Sequence, residues 1–374
     1  MHRKCDILIL TANFGSGHIS VSKAIENYIK DIDKSLEIET VDMYKIIRPK
    51  LHKYIYRCFT LLIKYAVHIY NYDYYKKNNN DKLCELHSCF KSSSRRLARY
   101  MEEVQPSIII STFPTCSAYI TKYKQDNNVN TPLITCITDI VKGSEWMHKG
   151  SNLYLVATDT VKTSLIDRGI SKDNIVTTGI PIRRDFITPK NRDIIRRNNK
   201  ISEDDFVILM MGGGMGLIPK QLSFYKWINN QSKIKLIIIT GNNNKLYNKI
   251  SKYDKYSNIT IMKYTNKVSE IMTMSDLLIT KPGGITLFEA ISSKLPFIIY
   301  KPILGQEIEN CKYIEKKQLG YIVSTENELQ DRISTLIKDK LTRDKIINNL
   351  EEEYKNIDME LLAHSIMNLY NTNE

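Results

Sequence analysis

Three short stretches of this chain put small residues beside groups that can do chemistry, each where an apolar run gives way to helical spacing: NFGSGH ending at His18, GGGMG at Gly212–Gly216, and PGGIT at 282–286. Glycines without side chains let a ligand approach the backbone, and a following helix aims unpaired N–H groups and its positive dipole end at that ligand. An anion is expected at Gly284, Ile285 and Thr286, foremost a phosphate. Glu289 lies one helical turn further in, where a carboxylate suits a pair of ribose hydroxyls better than a phosphate. Gln306, Glu307 and Asn310 follow the next apolar run, at the carboxyl edge where open α/β sheets bind ligands. Together these residues describe a site for a nucleotide that carries a polyhydroxylated group. His18 has a different use. At a helix start the dipole disfavours the imidazolium, so the ring stays neutral and can accept a proton; the alternative is a polar cap on an ordinary turn.

The elements that must position these residues are legible as alternation. Apolar runs at 5–12, 36–43, 107–113, 132–139, 153–158 and 174–179 read as buried parallel strands, and 206–211, 235–240, 258–262, 276–281, 295–300 and a short run near Tyr321 repeat the pattern in the second half. Helical spacing separates them. Two domains follow: 1–185, and 186–374 with a last helix at 358–370 that is expected to pack back on the first. The charged stretch Asn191–Lys200 reads as a linker between halves, and Pro219 sits near the first turn of a helix. Asp139 closes its strand and should face a cleft, with Trp146 and His148 in the loop beyond.

A chain of 374 residues with 42% hydrophobic and 25% charged residues has room for two cores of ordinary globular character. The excess of 54 Lys and Arg over 41 Asp and Glu points to an anionic partner. Most of that excess sits in Tyr44–Tyr100, about +10 by count of the residues there. Within it, Tyr54–Tyr70 reads as one helix with Ile55, Phe59, Leu62, Ala66 and Ile69 on one side and Arg57, Lys64 and His68 opposite. It is too short and too charged at mid-length to span a bilayer, and reads either as an interfacial helix beside Tyr70, Tyr72, Tyr74, Tyr75, Lys76 and Lys77 or as an ordinary domain helix. No nucleic-acid motif accompanies the charge, so nucleic-acid binding is not expected. The seven cysteines, among them Cys84 and Cys89, show no CxxC pair or zinc spacing, and reduced thiols of a cytoplasmic protein are expected. Asp31-Ile32-Asp33 has a metal-binding DxD form but ends a helix far along the chain from the glycine turns, and no metal is expected.

The pattern TKPGGITLFEA followed by GQEIEN, with GxGH near the amino terminus, resembles the glycosyltransferases that include plant-type monogalactosyldiacylglycerol synthases and bacterial processive diacylglycerol glucosyltransferases. The resemblance runs over nearly the whole chain. A more distant one is to the N-acetylglucosaminyltransferase that completes the lipid-linked peptidoglycan precursor. The resemblance implies the GT-B architecture: two doubly wound parallel-sheet, Rossmann-like domains facing a cleft, with acceptor and membrane on the first and UDP-sugar on the second.

It further implies that His18, after Gly17 in the GxGH turn, is the catalytic base, with Asp139 orienting it or compensating its charge. Trp146 and His148 match an acceptor-side TD…W.H stretch. Arg183 and the N–H groups of Gly213, Gly214, Gly284 and Ile285, with Thr286, would hold the donor diphosphate, Glu289 the ribose, Tyr264 and Thr265 the uracil, and Gln306, Glu307 and Asn310 the sugar side. The implied reaction is inverting transfer of glucose or galactose from a UDP-hexose to diacylglycerol. It would take place at the anionic inner face of the cell membrane, with the protein bound peripherally and with no cofactor. Transfer to a polyprenyl-linked acceptor, a UDP-sugar epimerase on the same fold, and a UDP-sugar sensor without turnover remain as alternatives.

Overall fold

A computed structural model describes residues 5–78, 91–140 and 143–372; Lys82, Cys84 and Cys89 of the basic segment lie outside the described residues. The chain divides into two compact units, Met1–Arg183 with Leu304–Gln306 and Asn356–Glu374, and Arg184–Ile303 with Glu307–Lys355.

The first unit is built on a parallel sheet of β1 (Ile7–Thr11), β2 (Ile38–Asp42), β3 (Ile108–Ser111), β4 (Leu133–Cys136), β5 (Leu153–Val156) and β6 (Ile175–Thr177), in the order β2-β1-β3-β4-β5-β6. Every residue of β1, β3 and β4 is buried, which is why these strands read as unbroken apolar runs and not as alternating ones. The chain winds from β1 to β2 in one direction and from β3 to β6 in the other. Its switch point therefore lies at the carboxyl ends of β1 and β3, where neighbouring loops diverge and leave a crevice. The last helix, Met359–Asn371, belongs to this unit and packs on helix Ser16–Ile32, with Asp358 N–H donating to the Thr178 carbonyl at 3.0 Å.

The second unit repeats the plan with β7 (Phe206–Met211), β8 (Ile234–Ile239), β9 (Ile259–Met262), β10 (Leu277–Thr280), β11 (Phe297–Tyr300) and β12 (Gly320–Val323), in the order β12-β11-β10-β7-β8-β9. Met211 pairs with Thr280, so the switch point falls between the turns that follow β7 and β10. These are two parallel six-stranded sheets with flanking helices, the doubly wound architecture expected.

Two expectations need correction. Asn191–Lys200 is not a linker: Arg192–Asn198 is a helix capped by the Asn191 side chain. Its arginines, four apart and so on one face, reach a single carboxylate. Arg192 Nη2 lies 2.6 Å and Arg196 Nη1 3.3 Å from Asp276, while both also donate to carbonyls at 273–275 where the preceding helix ends. Tyr54–Tyr70 is not one helix but two, His52–Tyr65 and Val67–Asn78, broken at Ala66 with φ −139 and ψ 40. The break lets Phe59 and Tyr70 meet edge to face with centroids 5.8 Å apart. In one straight helix they would be about 16 Å apart along the axis. Pro219 lies near the first turn of helix Leu222–Asn229, two residues before its N-cap, and its carbonyl accepts from Tyr225 Oη at 2.8 Å.

Among the described residues the five cysteines are free thiols, four of them buried, and no helix is long and apolar enough to cross a membrane. Removing the shared carboxylate would leave the buried Arg196 without its counter-charge. Asp276→Ala is expected to destabilise the second unit by about 3 kcal/mol, read as a lower first transition in thermal unfolding, with Asp276→Asn intermediate.

Candidate functional site

His18 is the third residue of helix Ser16–Ile32, directly after β1. Its Nδ1 lies 3.0 Å from the Thr112 carbonyl, just beyond β3, and 3.0 Å from Thr138 Oγ1, just beyond β4. A carbonyl can only accept, so Nδ1 carries the proton and the neutral ring keeps its lone pair on Nε2. The switch point of the first sheet thus fixes a histidine tautomer. Thr112 and Thr138 are buried, and Ser22, one turn on, bonds both the His18 carbonyl and Thr112 Oγ1. Sequence reading missed these threonines, because only the strand order brings the ends of β1, β3 and β4 together.

The loop that carries His18 is clamped from outside. Gly15 takes φ +136, open only to glycine, and turns the chain into the helix. Phe14 sits among Tyr44, Tyr56, Phe59 and Phe113 with ring centroids 4.8–5.2 Å away, and Phe113 also meets His18 edge to face. Tyr56 Oη accepts from Asn13 N–H at 3.2 Å and donates to Asp42 at 2.6 Å. Burial, and then that bond to Asp42, push the phenol pKa well up, so it stays a donor. Of the expected stripe, Ile55, Phe59, Leu62 and Ala66 are half-buried, while Ile69, beyond the break, is exposed. Through Phe59, the helix that carries it reaches the His18 loop.

The remaining first-unit candidates are dispersed. Gly17 and Asp139 are half-buried near the sheet's carboxyl edge. Trp146 and His148 are 2% exposed; the His148 ring lies 3.0 Å from the Glu145 carbonyl and its backbone is tied to Tyr154 Oη. Arg183 ends the unit half-buried. Of the DxD acids, Asp33 accepts from Ser35 as a local turn.

In the second unit the turns after β7, β10 and β11 stand side by side, because those strands are neighbours. Gly213 takes φ +61, and a Cβ there would come within 2.8 Å of Lys281 Cε. Gly283 caps helix Gly284–Ser292, which presents Ile285, Thr286 and, one turn in, Glu289, all half-buried. Asn310, fully buried, donates to the Pro282 carbonyl at 2.8 Å and so holds this turn from beneath. Glu307 is 2% exposed; Oε1 pairs with Lys281 Nζ at 3.1 Å and Oε2 accepts from Ile303 N–H at 3.1 Å. Lys281 was not singled out from the sequence, although a lysine directly before an anion-binding turn was a usable signal. Gln306 is grouped with the first unit, where its Oε1 accepts from Tyr70 Oη at 2.9 Å. Tyr264, 70% exposed, and Thr265 follow β9, two strands or about 10 Å from β7. Among the described residues no group of three or more His, Cys, Asp or Glu is placed to hold a metal ion.

One surface stands out. Of thirteen exposed large hydrophobic side chains among the described residues, six are Leu51, Tyr54, Leu61, Tyr65, Ile69 and Tyr72. Leu51, Tyr54, exposed Cys58, Leu61 and Tyr65 recur at helical spacing down an outer face of His52–Tyr65, between the stripe of Ile55, Phe59 and Leu62 and the charged side of Arg57 and Lys64.

Tyr56→Phe removes the bridge between Asn13 and Asp42. A lost hydrogen bond of this kind costs about 1 kcal/mol, so hydrogen exchange at the Asn13 amide is expected to quicken several-fold while the sheet amides keep their protection.

Comparison with known proteins agrees with this architecture. A family model described as monogalactosyldiacylglycerol (MGDG) synthase matches residues 18–182, and a glycosyltransferase family 28 C-terminal domain matches 207–362. A relative from Bacillus licheniformis, a processive diacylglycerol beta-glucosyltransferase, is 29% identical over 362 residues, covering 96% of this chain and 92% of its own. In fold the chain is similar to Acinetobacter baumannii MurG, with TM-score 0.60, 13% identity and coverage of 98% and 99%, and to S. aureus MnaA with UDP, with TM-score 0.62, 14% identity and coverage of 97% and 95%. The two-sheet GT-B fold thus carries one domain match in each unit, to monogalactosyldiacylglycerol synthase in the first and to the glycosyltransferase family 28 C-terminal domain in the second.

Proposed function

We propose that this protein transfers a hexose from a UDP-sugar to the primary hydroxyl of diacylglycerol, with inversion at the anomeric carbon. The geometric observation that carries the reading is the bond from His18 Nδ1 to the Thr112 carbonyl, which leaves Nε2 as the proton acceptor. The acceptor and glucose as donor rest on the relatives described as processive diacylglycerol beta-glucosyltransferases, which match the chain almost end to end. Likeness to MnaA supports the fold alone.

His18 Nε2 takes the hydroxyl proton as the lipid oxygen attacks, and Thr138 and the Thr112 carbonyl hold the resulting imidazolium through Nδ1. Asp139 compensates that charge. On the donor side the leaving UDP is stabilised by N–H groups of Gly213, Gly214, Gly284 and Ile285, by Thr286 and by Arg183. Glu289 takes the ribose, Tyr264 and Thr265 the uracil, and Glu307 with Gln306 the sugar hydroxyls. Lys281 holds the Glu307 side chain in place through their 3.1 Å pair, and brings a cation beside the diphosphate turns. The exposed face of His52–Tyr65 and its flanking lysines rest on the anionic inner face of the membrane, where the acceptor lies.

Two substitutions separate the roles. His18→Ala is expected to lower kcat by 10²–10⁴ while UDP-glucose still binds with near wild-type affinity in calorimetry; an unchanged kcat would remove the base. Lys281→Met is expected to raise KM for the UDP-sugar about tenfold and to leave KM for diacylglycerol unaltered.

A further inference from the structure

Helix Val67–Asn78 carries the tyrosine run of the basic segment, and its tyrosines divide. Tyr72 is 71% exposed, whereas Tyr74 is 4% exposed and Tyr70 is half-buried. Tyr70, Asn71 and Tyr74 share one face at helical spacing, and that face meets the segment Leu304–Gln306 of the same unit. Tyr70 Oη donates to Gln306 Oε1 at 2.9 Å. Asn71 Oδ1 accepts from Gly305 N–H at 2.9 Å, one of the N–H groups that the start of helix Gly305–Lys317 cannot satisfy within itself. Position 305 excludes a side chain, because a Cβ there would overlap the Tyr74 ring. One helix face thus grips the backbone at Gly305 and the side chain of Gln306, the two residues ahead of Glu307.

A glutamine amide has a carbonyl that accepts and an NH2 group that donates, and its two ends are close in size and shape. Left to itself, either end can turn to a ligand. The phenol removes that freedom: Oε1 is held by Tyr70, and Nε2 keeps both its N–H groups, with no partner among the described residues. The phenol ring is itself fixed, edge to face with Phe59 at 5.8 Å and stacked with Tyr74 at 6.4 Å between centroids. We propose that Tyr70 is a positioning residue for the donor sugar: it orients the Gln306 amide so that Gln306 recognises a hexose hydroxyl by donating an N–H to its oxygen. The proposal rests on the reading that Gln306 takes sugar hydroxyls, and adds to it an orientation and the residue that sets it. An amide held one way round separates epimers, because the hydroxyl of the wrong epimer leaves the N–H unpaired and the amide cannot turn to compensate.

The test is titration calorimetry of the purified full chain with UDP, UDP-glucose and UDP-galactose, for wild type, Tyr70→Phe, Gln306→Ala and the double variant. Tyr70→Phe keeps the ring and its contacts with Phe59 and Tyr74. It is expected to weaken UDP-glucose about fivefold, to narrow the difference between the two hexoses, and to leave UDP, which has no sugar, unchanged. In the Gln306→Ala background the same change is expected to add nothing, since the phenol then has no amide to orient. Gln306→Glu, which still accepts from Tyr70 but has no N–H to give, is expected to bind UDP-glucose no better than Gln306→Ala. In turnover, KM for UDP-glucose is expected to rise in Tyr70→Phe while KM for diacylglycerol stays as it is. Wild-type affinities in Tyr70→Phe, or an equal loss for UDP alone, would overturn the proposal. So would a full additional loss in the double variant, which would mean that the phenol acts through a group other than Gln306. Unaltered UDP-glucose binding by Gln306→Ala would instead overturn the sugar role of Gln306 on which the proposal stands. The calorimetry reads binding alone, so it judges Tyr70 whether or not the protein turns its sugar over.

Discussion

A backbone carbonyl has no proton to give, and the Thr112 carbonyl faces Nδ1 of His18 at 3.0 Å. That contact decides the ring's tautomer, and most of the first unit can be read as what is needed to keep it. It requires the end of β3 to lie beside the end of β1, which the order β2-β1-β3-β4-β5-β6 provides. It requires the loop before the helix to hold its path, which Phe14 secures in its aromatic nest and Tyr56 secures by bridging Asn13 to Asp42. Buried Ser22 and Thr112 tie the helix's first turn to the strand end. A base that must release and regain a proton on one nitrogen is served best by a fixed partner on the other.

The second unit solves a different problem with the same topology. Its switch point gathers three turns whose backbone N–H groups favour an anion, and a lysine and a buried glutamate hold each other between those turns. Gly213 must lack a side chain because Lys281 occupies the space one would need. Asn310 supports the Pro282 turn from within the core. Charge is thus organised in depth: the carboxylate of Glu307 lies at 2% exposure, and the lysine paired with it is 30% exposed. Helix His52–Tyr65 adds a third device, with apolar residues on two faces, one turned to Phe14 before His18 and one outward.

The strands were legible because parallel sheets covered on both faces demand unbroken apolar runs, and all twelve appear where such runs occur. The glycine turns were legible because few residues other than glycine serve there. What the sequence concealed was contact across strands. Thr112 and Thr138 read as ordinary polar ends of β3 and β4 until the strand order set them against His18. Arg192 and Arg196 looked like the charge of a linker, since their partner Asp276 lies some eighty residues away. Helical periodicity ran through Ala66 without a proline or glycine to mark the break, which answers to the packing of Phe59 against Tyr70. Trp146 and His148 carried a family pattern, and their burial at 2% exposure was not legible from the loop they sit in.

The claim at the centre of this account is that a single unprotonated nitrogen receives the acceptor's proton while the sugar is displaced from its far side. The anomeric configuration of the lipid formed from UDP-glucose and diacylglycerol, read by proton NMR of the purified product, tests it most directly. UDP-glucose carries its sugar in the α configuration, so direct displacement yields a β-linked glucosyl-diacylglycerol, and that is the product expected. An α-linked product would contradict the account, because it would require either a covalent intermediate or attack on the face the diphosphate leaves, and His18 would then have a different task.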